Sequence, residues 1–346
     1  MATVWFILVA LMLVGYVVLD GFDLGAGALH LLAARTDSER RLVLGAIGPV
    51  WDGNEVWLLA AGGTLFYAFP GLYASSFSGF YLALNIVLWL LVFRAIGIEF
   101  RMHLADSLWC SFFDGAFSAA STLLIVFFGA ALGNVLRGVA LDSSHYFFAP
   151  LWTNFQPGAA PGILDWYTVL CAVAALFAVS VHGALYLILK SSGDLNERLR
   201  GLIRWLWPPL VVVSAAALVA TLFIRPELLR NYRAAPVAWV IPVCVAAGLW
   251  GMAFFTRARN ERNAFLASCL YIVATLGGAA VALYPDLLPS STGAATSITI
   301  DNAAAGASSL SIGLIWWAIG MAVAIGYFIV VYTMFKGKVR PGEGYH

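Results

Sequence analysis

Two short runs carry acidic side chains into otherwise apolar sequence: Leu19-Asp20-Gly21-Phe22-Asp23-Leu24-Gly25, and Gly48-Pro49-Val50-Trp51-Asp52-Gly53-Asn54-Glu55-Val56-Trp57. Asp20 and Asp23 are spaced i, i+3, as are Asp52 and Glu55, so on helices each pair shares a face. An ionised side chain near the centre of a bilayer costs about 2.5–3.5 kcal/mol on insertion scales. Four such groups need a cationic partner, a proton or a water-filled cavity. Carboxyl groups in low dielectric exchange protons closer to neutrality than they do in water. The chemistry these runs could do is therefore proton uptake and release inside a membrane. A single intramembrane base, Arg94, and one further acid, Glu99, lie on the next apolar segment. One guanidinium cannot neutralise this many carboxylates, which favours a hydrated, titratable route. The other reading is a set of internal ion pairs that only holds helices together.

The elements that must position these groups follow from composition. Of 346 residues, 62% are hydrophobic and 11% charged, and the mean hydropathy is +0.89. Soluble domains carry roughly 25% charged residues. The chain is thus an all-α polytopic membrane protein. At about 20 apolar residues per crossing, nine transmembrane helices are predicted, near residues 3–33, 50–69, 75–97, 113–136, 165–190, 205–224, 236–255, 263–284 and 309–335. The apolar N-terminus lacks a basic leader region and a small-residue cleavage site, so it reads as a first span and not as a signal peptide. The connections 137–164 and 285–308 are rich in small and polar residues and are expected to be surface loops. Residues 1–138 are expected to form a first four-helix bundle carrying the acids. Residues 139–200 would hold a loop and a peripheral fifth helix, and 201–346 a second four-helix bundle and tail.

Charge fixes the orientation. Fifteen of the nineteen basic residues, Arg340 of the tail among them, fall at alternate connections on one side of the nine-span layout. By the positive-inside rule that side is cytoplasmic, with the N-terminus outside and the C-terminus inside. Asp20 and Asp23 then lie in the cytoplasmic half of span one, roughly 25–30 Å along it. Asp52, Glu55, Arg94 and Glu99 reach the same level from spans two and three. Gly21 and Gly25 form a small-xxx-small pair suited to close helix approach. Trp51 and Trp57 flank the second run as interfacial aromatics do, and Asn54 adds an amide between its acids.

Other chemistries find little support. Intramembrane haem ligands would be His or Met, and only His30 and His182 lie inside spans. His103, His145 and His346 fall in loops, near span ends or in the tail. No metal is expected. Cys110, Cys171, Cys244 and Cys269 show no metal-binding spacing. A net charge of +1 argues against a nucleic-acid partner, and no nucleotide or hydrolase motif is present. An ion-coupled secondary transporter would also use midmembrane carboxylates, but usually in two matched halves. Here the acids crowd the first three spans.

The chain resembles subunit II of cytochrome bd-type quinol oxidases. The residues that carry the likeness are Asp20-Gly21-Phe22-Asp23-Leu24-Gly25, Trp51-Asp52-Gly53-Asn54-Glu55-Val56-Trp57-Leu58, Phe77-Ser78-Gly79-Phe80-Tyr81, Phe93-Arg94 and Tyr284-Pro285-Asp286-Leu287-Leu288-Pro289-Ser290-Ser291. The resemblance implies a heterodimer with a haem-carrying subunit I, each subunit built of two four-helix bundles and a peripheral helix. It implies two b-type haems and one d-type haem in that partner, with no complete active site in this chain. Quinol would be oxidised and dioxygen reduced to water in a bacterial cytoplasmic membrane, among membrane lipid. The implied share of this chain is scaffold and a cytoplasmic proton route through Asp23, Asp52 and Arg94, with Glu99 where an acid is expected. Some members also hold a structural quinone, and the family leaves room for a small single-span accessory subunit.

Overall fold

A computed structural model describes residues 1–339; Arg340 and His346 lie outside the described residues. Helix α1 (Ala2–Ala33) runs 32 residues with no proline to break it. At 1.5 Å per residue this is roughly 48 Å, longer than the hydrocarbon layer of about 30 Å. Thr36 starts α2 (Asp37–Ile47) with a capping box: its hydroxyl accepts from the Glu39 N–H, and the Glu39 carboxylate accepts from the Thr36 N–H. The basic connection after span one is thus an amphipathic helix, not a coil. Next come α3 (Trp51–Ala68) and α4 (Pro70–Gly79). Pro70 opens α4 in the first turn, where its missing N–H costs nothing. The chain breaks at Phe80 and resumes as α5 (Tyr81–Phe100). The third crossing therefore begins at residue 81 and not at 75.

Asp106 caps α6 (Ser107–Arg137) through the Trp109 N–H, and Asp165 with Thr168 forms a capping box on α7 (Trp166–Lys190). Helix α8 (Asp194–Ile224) starts well before the expected 205 and carries Pro208 and Pro209 inside. The remaining helices are α9 (Arg230–Ala234), α10 (Val240–Arg257), α11 (Glu261–Leu283), α12 (Ile300–Ala303) and α13 (Ala307–Met334).

Among the described residues, eight helices are long and apolar enough to cross a membrane. The ninth expected crossing is α3, whose first turns carry Asp52, Asn54 and Glu55 and so dilute its hydropathy. It packs along α1. Helix α1 is the axis of the molecule, in contact with α3, α6, α7 and α11. Helix α5 lies on α6, α8 on α7, and α10 on α11.

The fifth helix, expected at the periphery, packs within this chain against α1, α6, α8 and α11. In α7, 61% of the apolar window is buried inside the protein, the largest share of any span, whereas in α13 the figure is 0%. The reason is steric. Helix α7 crosses α1 at Gly25 and Gly183, where a Cβ on Gly25 would lie 2.9 Å from the Gly183 Cα. Only glycine lets the two backbones meet. Gly21, by contrast, has ordinary room, since its Cβ would sit 3.7 Å from the His182 ring.

The two outer connections are more than surface loops. Asp286–Leu288 (β1) pairs antiparallel with Ile298–Thr299 (β2). Leu288, Ile298, Ile300 and Ala303 bury against Trp5, Val9 and Leu310, with Val139, Leu141 and Phe147 from the other connection. Their small residues allow a tight lid over the outer end of the bundle.

Candidate functional site

From Asp20 to Gly27, α1 is buried on every side. Asp20, Asp23, Asn54 and Arg94 are each fully inaccessible. Three helices converge there, as their depths require. From α5, the Arg94 guanidinium grips Asp20 with both ends: Nη1 donates to Oδ2 at 2.8 Å, and Nη2 donates to Oδ1. A fork-on-carboxylate pair of this kind fixes geometry as well as charge. Glu55 of α3 approaches the same guanidinium at 3.6 Å, and the Trp51 ring lies 6.0 Å from it. Trp51 thus walls the cation in from the α3 side.

Asp23 is treated differently. Its Oδ2 accepts from the Asn54 Nδ2 at 2.7 Å, and the same amide reaches the Leu19 carbonyl at 3.2 Å. The Tyr332 hydroxyl of α13 donates to Asn54 Oδ1 at 2.9 Å. Asp23 Oδ1 has no hydrogen-bond partner among the described residues, and neither has the Tyr16 hydroxyl. The layer therefore holds three carboxyl groups and one guanidinium, with Asp20 satisfied and Asp23 lacking a cation. A buried carboxylate in that position is costly unless it takes a proton or water reaches it. This arrangement favours an exchangeable site over a closed set of ion pairs.

The other expected acids are not in the layer. Asp52 and Glu99 have exposed side chains on the outside of this chain. Both sit on the expected helices, each one residue after a buried one, Trp51 and Ile98.

A second polar layer lies nearer the arginine-rich end, and spacing alone did not single out its centre, Asp114 of α6. Asp114 Oδ1 pairs with His30 Nε2 at 2.7 Å and accepts from Arg101 Nε at 2.9 Å, while Oδ2 accepts from Arg40 Nη1 at 3.0 Å. Arg101 also reaches Asp37 at 2.5 Å. His30 lies seven residues beyond Asp23, on the same face of α1. Its Nδ1 and the Ser121 hydroxyl, both buried, lack partners among the described residues. The available signal was one acid at the start of span four, level with Arg40, Arg101 and a lone intramembrane histidine. Outside the spans, hydrogen bonds from Arg41 and Arg101 hold the Asp37 carboxyl below its usual range.

Both intramembrane histidines already make side-chain hydrogen bonds. Both ring nitrogens of His182 are engaged, Nδ1 with Ser268 at 2.8 Å and Nε2 with the Val18 carbonyl at 2.9 Å. His30 is tied to Asp114 through Nε2. No group of three or more His, Cys, Asp or Glu among the described residues could hold a metal ion.

Fold and site together define a polytopic helical membrane protein with a buried layer of carboxyl groups and one guanidinium between its first three crossings. The chain matches the family model for cytochrome bd terminal oxidase subunit II over residues 1–335, and it belongs to that family. It is 31% identical to the probable cytochrome oxidase subunit 2 of Haemophilus influenzae, covering 97% of this chain and 94% of that one. It is 30% identical to the cytochrome bd-I ubiquinol oxidase subunit 2 of Escherichia coli K12, over 95% of this chain and 91% of the relative. For the cytochrome bd ubiquinol oxidase subunit 2 of Bacillus subtilis the identity is 29%, over 98% and 97%. The fold matches that of a chain of the bd oxidase from Geobacillus thermodenitrificans with a TM-score of 0.74, at 17% identity and coverage of 96% and 98%. A terminal oxidase is an oxidoreductase, so this chain is a subunit of an enzyme, and the transporter reading falls away.

Proposed function

We propose that this chain is the haem-free second subunit of a bacterial cytoplasmic-membrane quinol oxidase. In it, residues 1–138 admit protons from the cytoplasm part-way to the haems of subunit I, and residues 201–346 brace that half. The observation that carries this reading is the unequal treatment of two neighbouring carboxyl groups. Asp20 is locked by Arg94, while Asp23 has only the Asn54 amide and a free Oδ1. Asp20 with Arg94 is then the fixed charge that orders the layer, and Asp23 with Glu55 is its exchangeable part. The stripe Asp23, Gly27, His30 on α1, with Ser121 and Asp114 opposite, extends the layer towards the arginine-rich end. Asp52 and Glu99, exposed on this chain, are the groups that would pass protons across to the partner.

The partner would carry two b-type haems and one d-type haem and would oxidise quinol and reduce dioxygen to water. No step of that chemistry uses a side chain described here. A structural quinone and a single-span accessory subunit are compatible with the apolar outer surface. The test is Asp23→Asn and Asp52→Asn in the assembled complex. Quinol oxidase turnover should fall while the haem spectrum is retained. Normal turnover in both variants would leave this chain as scaffold alone.

A further inference from the structure

On the arginine-rich side, a cavity of about 260 Å³ opens between the end of α2 and the turn after it, the end of α7 and the end of α13. Its walls include Gly45, Ala46, Tyr186 and Tyr332, and its rim includes Lys336 and Lys338. Lys336 is exposed, whereas Ala46 is buried. The Tyr186 hydroxyl is tied to the Ala46 carbonyl at 3.0 Å, so that wall is fixed. The Tyr332 hydroxyl instead turns inward to Asn54, whose amide covers Asp23. The Tyr332 phenol and the Asn54 amide therefore stand in sequence between a cavity open to one side of the protein and a fully buried carboxyl group.

We propose that this cavity is the mouth through which Asp23 exchanges protons with the cytoplasm, and that Tyr332 and Asn54 form its inner stopper. The proposal rests on the proton-route reading above and adds where the route begins. The chemistry explains why a stopper is needed. A side-chain amide is a poor proton relay, because it cannot gain a proton on oxygen and lose one from nitrogen without an unstable tautomer. With the Tyr332–Asn54–Asp23 chain closed, no proton passes. When the Tyr332 hydroxyl releases Asn54, cavity water can reach Asp23, and a hydronium proton is transferred to the carboxylate, leaving neutral water and a neutral carboxyl group. Helix α13 suits the moving part, since none of its apolar window is buried inside this chain. Tyr332 is then a positioning residue acting through Asn54.

The test uses the assembled oxidase in detergent, with the four cysteines of this chain replaced by serine or alanine and the labelled parent without the new cysteine as control. Gly45→Cys places a thiol on the cavity wall, where a side chain would meet only Val339, at 3.4 Å. Lys336→Cys at the exposed rim is the second variant should the first fail to assemble. Treatment with a bulky methanethiosulfonate reagent should cut quinol-driven oxygen consumption roughly threefold or more. The loss should grow as pH rises, and the ratio of rates in H2O and D2O should increase, because proton supply becomes limiting. A scaffold role for the cavity would change neither the pH profile nor the isotope ratio. Labelled variants with unaltered turnover, pH profile and isotope ratio would overturn the proposal. If Asp23→Asn still slows turnover in that case, the route stands and its mouth is elsewhere; if neither matters, the route itself falls.

Discussion

At the scale of single residues, Arg94 and Asp23 are expected to behave in opposite ways. Removing one partner of a buried ion pair leaves the other charge uncompensated and costs about 3–5 kcal/mol. Arg94→Gln strands Asp20, which is fully buried. The yield of assembled heterodimer and its thermal inactivation temperature should both drop sharply. Arg94→Lys keeps the charge but not the two-ended grip, so it should fall between the parent and Arg94→Gln. Asp23→Asn should assemble like the parent, because the Asn54 amide can donate to the new carbonyl oxygen as it does to Asp23. An Asp23→Asn complex that fails to assemble, beside a robust Arg94→Gln, would reverse these assignments.

At the scale of elements, the contact of α1 with α7 is the most demanding. A side chain at Gly25 would run into the Val179 carbonyl and the Gly183 backbone. Overpacking typically costs about 1–3 kcal/mol where neighbours can yield, and backbone yields least. Gly25→Val should therefore abolish recovery of folded subunit, whereas Gly21→Ala, with ordinary contacts, should be tolerated; size-exclusion chromatography of a tagged chain reads both.

Helix α2 gives a pH dependence. Asp37 is held below its usual range by hydrogen bonds from Arg41 and Arg101. A lowered carboxyl pKa contributes stability that is present above the unfolded value and lost as pH falls through the folded one. Docking of α2 should thus be constant near neutrality and weaken below the ordinary carboxylate range, about pH 4. Asp37 is more than half exposed, so the effect is screened and small. Amide hydrogen exchange in α2, corrected for intrinsic rate, should rise at low pH in the parent and be flat in Asp37→Asn.

For the whole molecule, both intramembrane histidines are already committed, one of them through both nitrogens. The chain purified alone should show no Soret absorption, even after incubation with haem. A tagged chain co-expressed with its partner should elute as a coloured complex. A haem spectrum from the isolated subunit would contradict the assignment of every haem to the partner. The outer lid belongs to this scale too, because it binds residues from both ends of the chain, Trp5 and Leu310, into one cluster.

Hydropathy, spacing and the bias of basic residues were enough to define an all-α membrane protein. They located its crossings to within a few residues, except where a helix broke at Phe80 or began early, at Ser107 and at Asp194. They also picked out Asp20, Asp23, Asn54, Glu55, Arg94 and Trp51, because a charged or polar group in an apolar run is conspicuous whatever its partners. They could not say which acid is locked and which is free, since that depends on side-chain direction across three helices. For the same reason Asp52 and Glu99 looked equivalent to the others. Asp114 escaped notice because its partners, His30, Arg40 and Arg101, are scattered through the chain and meet only after folding. The burial of α7 and the exposure of α13 were likewise invisible, because both are equally apolar. What distinguishes them is which backbone can touch α1, and two glycines far apart in sequence decide that.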